Sequence, residues 1–177
     1  LLAALAAQRG AYVVAGERRH RRARMVQKAL RALPNAAAVT ADATVGPWPA
    51  ASFDRVLVDV PCSGLGALRR RPEARWRRAA GDLAALVRVQ ERLLRAAVAA
   101  VRPGGVVVYA TCSPHVSETT EVVDAVTGDT QQVRPEDARP LFPGVPALGP
   151  GPWVQLWPHR HGTDAMFVAL LRRREDT

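Results

Sequence analysis

Short apolar segments alternate with amphipathic helical segments along most of this 177-residue chain. Apolar runs of strand length occupy residues 11–15, 36–40, 53–59 and 106–111. A long amphipathic helix is predicted between the last two runs, over residues 83–101, and the Pro-Gly-Gly that follows it is typical of a helix end. Because strands that alternate with helices of this length form parallel sheets, the pattern predicts an α/β fold with a mostly parallel, doubly wound sheet.

The other segments complete this prediction. Residues 18–33 and 118–126 have helical patterns, and residues 165–171 are predicted to form a last strand. Residues 133–158 are rich in proline and glycine, which predicts irregular structure. Because the chain contains no internal repeat or low-complexity tract, residues 1–177 are predicted to form a single domain.

Two cysteines, Cys62 and Cys112, each follow a predicted buried strand, and the chain has no others. In an open parallel sheet the ligand crevice lies beyond the carboxyl ends of the strands, which are about 4.8 Å apart, so two such thiols can flank one small planar group. Burial in the core is the alternative, because free cysteine is often buried. No signal peptide or membrane-spanning apolar run is present, which favours the cytoplasm and free thiols over a disulfide.

Basic residues dominate the charge, with a formal net charge of +9 carried almost entirely by arginine. Guanidinium groups pair bidentately with phosphate, so this excess predicts a polyanionic partner such as RNA. A GC-rich genome also enriches arginine, and that alternative stays open. Arginines cluster after Cys62, around Trp76, a side chain that either stacks on a base or packs at the rim of the core.

Three motifs, DVPCSGLG at residues 59–66, YATCS at residues 109–113 and PHRHGTD at residues 158–164, together resemble those of the RsmB/Sun family of RNA cytosine-5 methyltransferases. DVPCSGLG at residues 59–66, followed by an arginine-rich run, resembles motif IV of that family. YATCS at residues 109–113, with Glu118 shortly after it, resembles motif VI, and PHRHGTD at residues 158–164 resembles the closing motif. The motifs occur in the family's order, and the resemblance extends over nearly the whole chain.

This resemblance implies a Rossmann-like fold with a terminal antiparallel strand, and transfer of a methyl group from S-adenosylmethionine to carbon 5 of cytosine in RNA, with ribosomal RNA expected. Cys112 corresponds to the family's nucleophile and Cys62 to the cysteine that helps to release the product. Asp59 corresponds to the aspartate beside both the base and the cofactor. For cofactor binding, Glu17 has the position that binds the ribose hydroxyls and Asp42 the position near adenine.

The chemistry explains why such residues are needed. Carbon 5 of cytosine is a poor nucleophile, and a thiolate that adds to carbon 6 converts the ring into an enamine whose carbon 5 can attack. A second acid/base group must then act when the proton leaves carbon 5, a role that Cys62 can fill, and Asp59 can hydrogen-bond the amino and ring-nitrogen edge of the base. RNA phosphate contacts would hold the strand while the base enters the cleft, and the residues predicted for RNA binding are Arg69, Arg70, Arg71, Arg75 and Trp76.

Some features depart from the family or leave alternatives open. The Gly-rich loop and the first strand of the family are lacking, and residues 1–9 resemble the tail of the first helix, so both segments are expected upstream of residue 1. Cofactor binding and activity are therefore expected to depend on those upstream segments. One alternative is a DNA cytosine-5 methyltransferase, in which Cys62 would be the nucleophile, and another is a non-catalytic RNA-binding domain.

Smaller predictions concern other candidate ligands. A redox dithiol is disfavoured because the cysteines lack a Cys-X-X-Cys spacing. His159 and His161 would need two more convergent ligands to bind a metal, so no metal site is expected. Glu118 is predicted to cap a helix through the positive end of the helix dipole. A monomer is favoured.

Overall fold

The computed structural model describes residues 2–77, 79 and 81–175. The α-helices are α1 (Leu2–Gln8), α2 (His20–Leu30), α3 (Ala74–Arg77), α4 (Asp82–Ala100), α5 (Thr120–Thr130) and α6 (Pro158–His161). The strands are β1 (Val13–Glu17), β2 (Ala36–Thr40), β3 (Phe53–Asp59), β4 (Val101–Thr111), β5 (Val133–Glu136), β6 (Val154–Gln155) and β7 (Phe167–Arg173). No helix within these described ranges is long and apolar enough to span a membrane.

The first of two compact units ends at Pro47 and contains α1, β1, α2 and β2. Strands β1 and β2 pair in parallel, with Glu17 opposite Thr40 at their carboxyl ends. The Asn35 amide fixes the start of β2, because its Nδ2 atom donates to the carbonyl oxygen of Ala11 over 2.6 Å. This pairing places the segments that follow β1 and β2 at the same edge of the small sheet.

The second unit begins at Trp48 and contains a mixed sheet in the order β3-β4-β7-β5, with β6 also paired to β7. Strands β3 and β4 are parallel, whereas β7 is antiparallel to β4, β5 and β6. Helices α4 and α5 pack together and against this sheet. The largest apolar side chains fully buried there are Tyr109, Phe167, Leu94 and Leu171. This core fixes the carboxyl ends of β3 and β4, which are followed by the two cysteines.

The terminal antiparallel strand is confirmed as β7. The prediction of irregular structure over residues 133–158 is wrong at its two ends, where β5 and β6 lie, and right for most of the residues between them. Strand β5 contains Pro135 and lies at the edge of the sheet, where proline is tolerated. Strand β6 has two residues and is too short to show a periodicity. The grouping of residues 1–177 into a single domain stays a prediction.

Candidate active site

The carboxyl ends of β3 and β4 bring the two thiols together. Asp59 is the last residue of β3, and its register partner on β4 is Ala110, two residues before Cys112. The Sγ atoms of Cys62 and Cys112 are 3.1 Å apart, and both cysteines are reduced thiols that are only partly buried. This arrangement puts two thiols at one partly accessible edge of the sheet and excludes the alternative that they are separate core residues.

A glycine keeps the two cysteine-bearing loops in direct backbone contact. The N–H of Gly66 donates to the carbonyl oxygen of Cys112 over 2.9 Å, and the Gly66 carbonyl accepts from the N–H of Ala165 over 3.0 Å. A Cβ atom at Gly66 would clash with the carbonyl oxygens of Ala165 and Cys112. The loop after Cys62 can therefore lie against Cys112 only because residue 66 has no side chain.

The short contact between the sulfur atoms changes their acidity. A hydrogen bond from Cys112 lowers the pKa of Cys62 to about 6, despite partial burial, and smaller contributions come from the Thr111 side chain and from the backbone at Gly64. The same contact with Cys62, together with burial, raises the pKa of Cys112. The pair therefore loses one proton readily and holds the second one, which gives a shared thiolate at neutral pH.

Asp59 lies beside this pair, at the end of β3. The residue is exposed at the surface of the second unit, and partial desolvation raises the pKa of its carboxyl group. A raised pKa keeps a carboxyl group protonated, and so able to donate a hydrogen bond, up to a higher pH than in an ordinary aspartate.

Glu118 has a role that the sequence did not indicate. Its side chain is completely buried, and it accepts hydrogen bonds from Ser63 and from Gln90 of α4. The prediction that it caps a helix is therefore wrong, since its partners belong to the loop after Cys62 and to a distant helix. The only sequence signal was its fixed distance from Cys112, and nothing in the local pattern showed that the carboxylate would be buried.

The predicted RNA-binding residues, which we call the basic loop (residues 69–76), divide into anchored and exposed members. Arg70 forms a bidentate ion pair with Asp164, and Arg69 donates to the carbonyl oxygen of Gly162 over 3.1 Å. Arg71 and Arg75 are exposed, and no side-chain hydrogen bond or ion pair to another described residue holds either one. Two arginines thus fix the loop to the second unit, and two present their charge to solvent.

Trp76, in the same loop, is 84% exposed. This exposure excludes the alternative that its indole packs at the rim of the core. An exposed indole beside arginines is a suitable platform for stacking on a nucleic-acid base.

The two predicted cofactor carboxylates of the first unit follow β1 and β2. Glu17 ends β1, and its Oε1 atom accepts a 2.8 Å hydrogen bond from the N–H of Arg19. Asp42 follows β2 and accepts hydrogen bonds from the backbone N–H and the hydroxyl of Thr44, at 3.0 and 2.7 Å. Its other oxygen lies 3.4 Å from Arg18, which follows Glu17 directly.

Two solved structures from Pyrococcus horikoshii share this fold. NSun6 from Pyrococcus horikoshii, solved with the S-adenosylmethionine analogue SFG, gives a TM-score of 0.76 at 28% identity, over 92% of this chain and 41% of that chain. A methyltransferase homologue from the same organism gives 0.71 at 25% identity, over 90% of this chain and 52% of that one. The fold, with paired polar residues at the strand ends, therefore defines a Rossmann-like methyltransferase.

The family is identified by sequence. The profile of the 16S rRNA methyltransferase RsmB/F family matches residues 1–172, and the chain belongs to that family. A protein of Mycobacterium tuberculosis that is named as a methyltransferase is 55% identical over 175 residues, which are 98% of this chain and 37% of its own length. The ribosomal RNA small subunit methyltransferase B of Vibrio cholerae is 35% identical over 72% of this chain and 27% of its own length. The chain thus spans less than two fifths of either relative.

Proposed function

We propose that this chain carries the catalytic cysteines of an enzyme that methylates carbon 5 of cytosine in ribosomal RNA, with S-adenosylmethionine as the methyl donor. The observation that supports this most directly is the 3.1 Å separation of the Cys62 and Cys112 sulfur atoms at the ends of two parallel strands. Its family membership supports the ribosomal substrate, and methylation of that RNA would take place in the cytoplasm.

Cys112 acts as the nucleophile. Its thiolate adds to carbon 6 of the cytosine, a new C–S bond forms, and the electron pair of the 5,6 double bond makes carbon 5 nucleophilic. The proton that the two sulfur atoms share then resides on Cys62, 3.1 Å away, so no distant base is needed to ionise the nucleophile. Asp59 hydrogen-bonds the amino and ring-nitrogen edge of the base, which selects cytosine.

Cys62 acts in the release of the product. Once Cys112 is bonded to carbon 6 its sulfur carries no charge, and Cys62 can lose its proton to water. The Thr111 side chain and the backbone at Gly64 still favour the Cys62 thiolate at this stage. That thiolate takes the proton from carbon 5, the 5,6 double bond forms again, and Cys112 leaves as a thiolate.

The residues at the strand ends of the first unit fit an adenosine group. Glu17 offers its second carboxylate oxygen, which accepts no hydrogen bond from a described residue, to the ribose hydroxyls, and Asp42 is the expected contact near adenine. S-Adenosylmethionine, when bound, supplies the electrophilic methyl group. The basic loop holds the RNA strand through Arg71, Arg75 and Trp76 in this proposal, while Arg69 and Arg70 hold the loop itself in place.

Covalent trapping with RNA tests the proposal. The parent protein, Cys112→Ser and Cys62→Ser are incubated with 16S ribosomal RNA and S-adenosylmethionine and are then separated under denaturing conditions. We expect Cys62→Ser to accumulate a protein–RNA adduct and Cys112→Ser to form none. The opposite pattern would assign the nucleophile to Cys62, as in DNA cytosine methyltransferases, and salt-dependent RNA binding without any adduct would indicate a binding domain.

A further inference from the structure

A buried carboxylate links the two loops that carry the thiols. The Oε1 atom of Glu118 accepts the backbone N–H of Ser63 over 2.7 Å, and its Oε2 atom accepts the Ser63 hydroxyl over 2.5 Å. Ser63 directly follows Cys62. Both carboxylate oxygens are therefore committed to the residue next to one of the two thiols.

The same carboxylate is tied to the other thiol. Glu118 follows Cys112 by six residues, and the hydroxyl of Ser113, next to Cys112, lies 3.3 Å from the Ser63 hydroxyl and also hydrogen-bonds Glu118. The backbone of Glu118 is fixed as well, because its carbonyl oxygen accepts the Tyr109 hydroxyl of β4 over 2.7 Å. Glu118 thus joins the loop after β3 to the loop after β4.

A third element completes the arrangement. Gln90, in the middle of α4 and completely buried, donates from its Nε2 atom to Glu118 Oε1 over 3.0 Å and to the carbonyl oxygen of Pro61 over 2.9 Å. Pro61 precedes Cys62. The residues on both sides of Cys62 are therefore held by one carboxylate and one amide.

The charge of this group needs an explanation beyond packing. Glu118 is 0% exposed, and no lysine, arginine or histidine of the described ranges forms an ion pair with it. Burial acts to raise the pKa of Glu118, but hydrogen bonds from Ser113, Ser63 and Gln90 outweigh it and lower the pKa. A buried, ionised carboxylate that only hydroxyl and amide donors compensate is costly, and a neutral side chain would fill the same space at lower cost.

We propose that Glu118 is a positioning residue, which holds the loops after β3 and β4 so that the Cys62 and Cys112 sulfur atoms stay in contact during the methylation cycle. The proposal rests on the proposed function for its catalytic meaning, but the contact between the thiols can be measured without RNA or cofactor. Glu118 contacts neither sulfur and acts through Ser63 and Ser113.

Glu118→Gln tests this role, because glutamine keeps the volume but replaces one of the two acceptor oxygens with a donor. Without RNA, we expect the pKa of Cys62, measured from the pH dependence of iodoacetamide alkylation, to rise by about one unit or more as the thiols separate. With RNA, we expect the rate of adduct formation to fall about tenfold or more, while the KM for RNA changes less than about twofold. Glu121→Gln, three residues further on and exposed, is the matched control and should match the parent in both measurements.

Folding is checked in parallel by thermal unfolding. If Glu118→Gln does not fold, Ser63→Ala tests the proposal instead, because it removes a single hydroxyl that donates to Glu118. We expect Ser63→Ala to raise the pKa of Cys62 and to slow adduct formation, both by less than Glu118→Gln. A folded variant with the parent's thiol pKa and adduct rate would overturn the proposal. If the variant raises the thiol pKa but the unsubstituted protein forms no adduct with RNA, the positioning role is supported and cytosine methylation is not.

Discussion

Removing the Cys112 thiol should make Cys62 a weaker acid, because the largest cause of its low pKa is the hydrogen bond that it accepts from Cys112. The pKa of Cys62 is about 6, against an ordinary value of 9.0. At pH 7 these values correspond to a thiolate fraction of about nine tenths and about one hundredth, respectively. The Thr111 side chain and the backbone donors remain in Cys112→Ala, so we expect the pKa to rise by about one to three units.

The assay is the pH dependence of iodoacetamide alkylation at Cys62, followed by mass spectrometry of the peptide that contains it. In Cys112→Ala this is the only thiol, so the profile has one inflection. Cys112→Ser keeps a hydroxyl donor at the same position and should give an intermediate pKa. A pKa in Cys112→Ala equal to that of the parent would refute the argument that the two sulfur atoms share a proton.

Three further predictions concern the same region. Brief treatment with the thiol oxidant diamide should convert the two thiols, whose sulfur atoms are 3.1 Å apart, into an intramolecular disulfide. Mass spectrometry should show a loss of two mass units that dithiothreitol reverses, and thiols that stay reduced would contradict the observed distance. Gly66→Ala should lower the free energy of unfolding by about 1–3 kcal/mol, because the new Cβ would clash with two backbone carbonyls. Gly128→Ala, which has open space around it, should cause no such loss, and equal unfolding curves for the two variants would contradict this prediction. Arg71→Gln and Arg75→Gln should each reduce the slope of the logarithm of the RNA-binding constant against the logarithm of the salt concentration by about 0.7. Arg88→Gln, also at an exposed arginine, is the control, and equal slopes for all three variants would show that the basic loop does not contact RNA.

Strands β2 and β3 were predictable because each is a short run rich in apolar residues, although neither contains a fully buried residue. The observed bounds of β2 and β3 match the apolar runs at residues 36–40 and 53–59. Strands β5 and β6 escaped prediction because their pairing depends on β7, which lies far along the chain, and because proline at an edge imitates a loop. The local pattern therefore predicts strands that are rich in apolar residues and misses those that depend on a distant partner.

The candidate site shows the same division. The positions of Cys62 and Cys112 followed from two strand ends, which a single sequence reveals. The ion pair of Arg70 with Asp164 joins residues 94 positions apart, and Glu118 is held by Ser63, 55 positions away. Local periodicity in the sequence gives no information on contacts at such separations. The arginine-rich run consequently looked like a uniform RNA-binding surface, although two of its members are anchored to the protein.

The strands alone do not account for the distance between the sulfur atoms. Neighbouring strands are about 4.8 Å apart, and Cys62 lies three residues beyond the end of β3, where the sheet no longer fixes the backbone. Two contacts fix the backbone there. The Gly66 N–H donates to the Cys112 carbonyl oxygen, and the backbone N–H and hydroxyl of Ser63 donate to the Glu118 carboxylate. Both connect the loop after β3 with the loop after β4, so a variant at Gly66 or Glu118 should change the acidity of the thiols, although neither side chain contacts a sulfur atom. The acidity of the thiols at this site therefore depends on the two loops together. A variant that raises the thiol pKa but stays folded shows that the loops position the thiols and do not merely stabilise the fold.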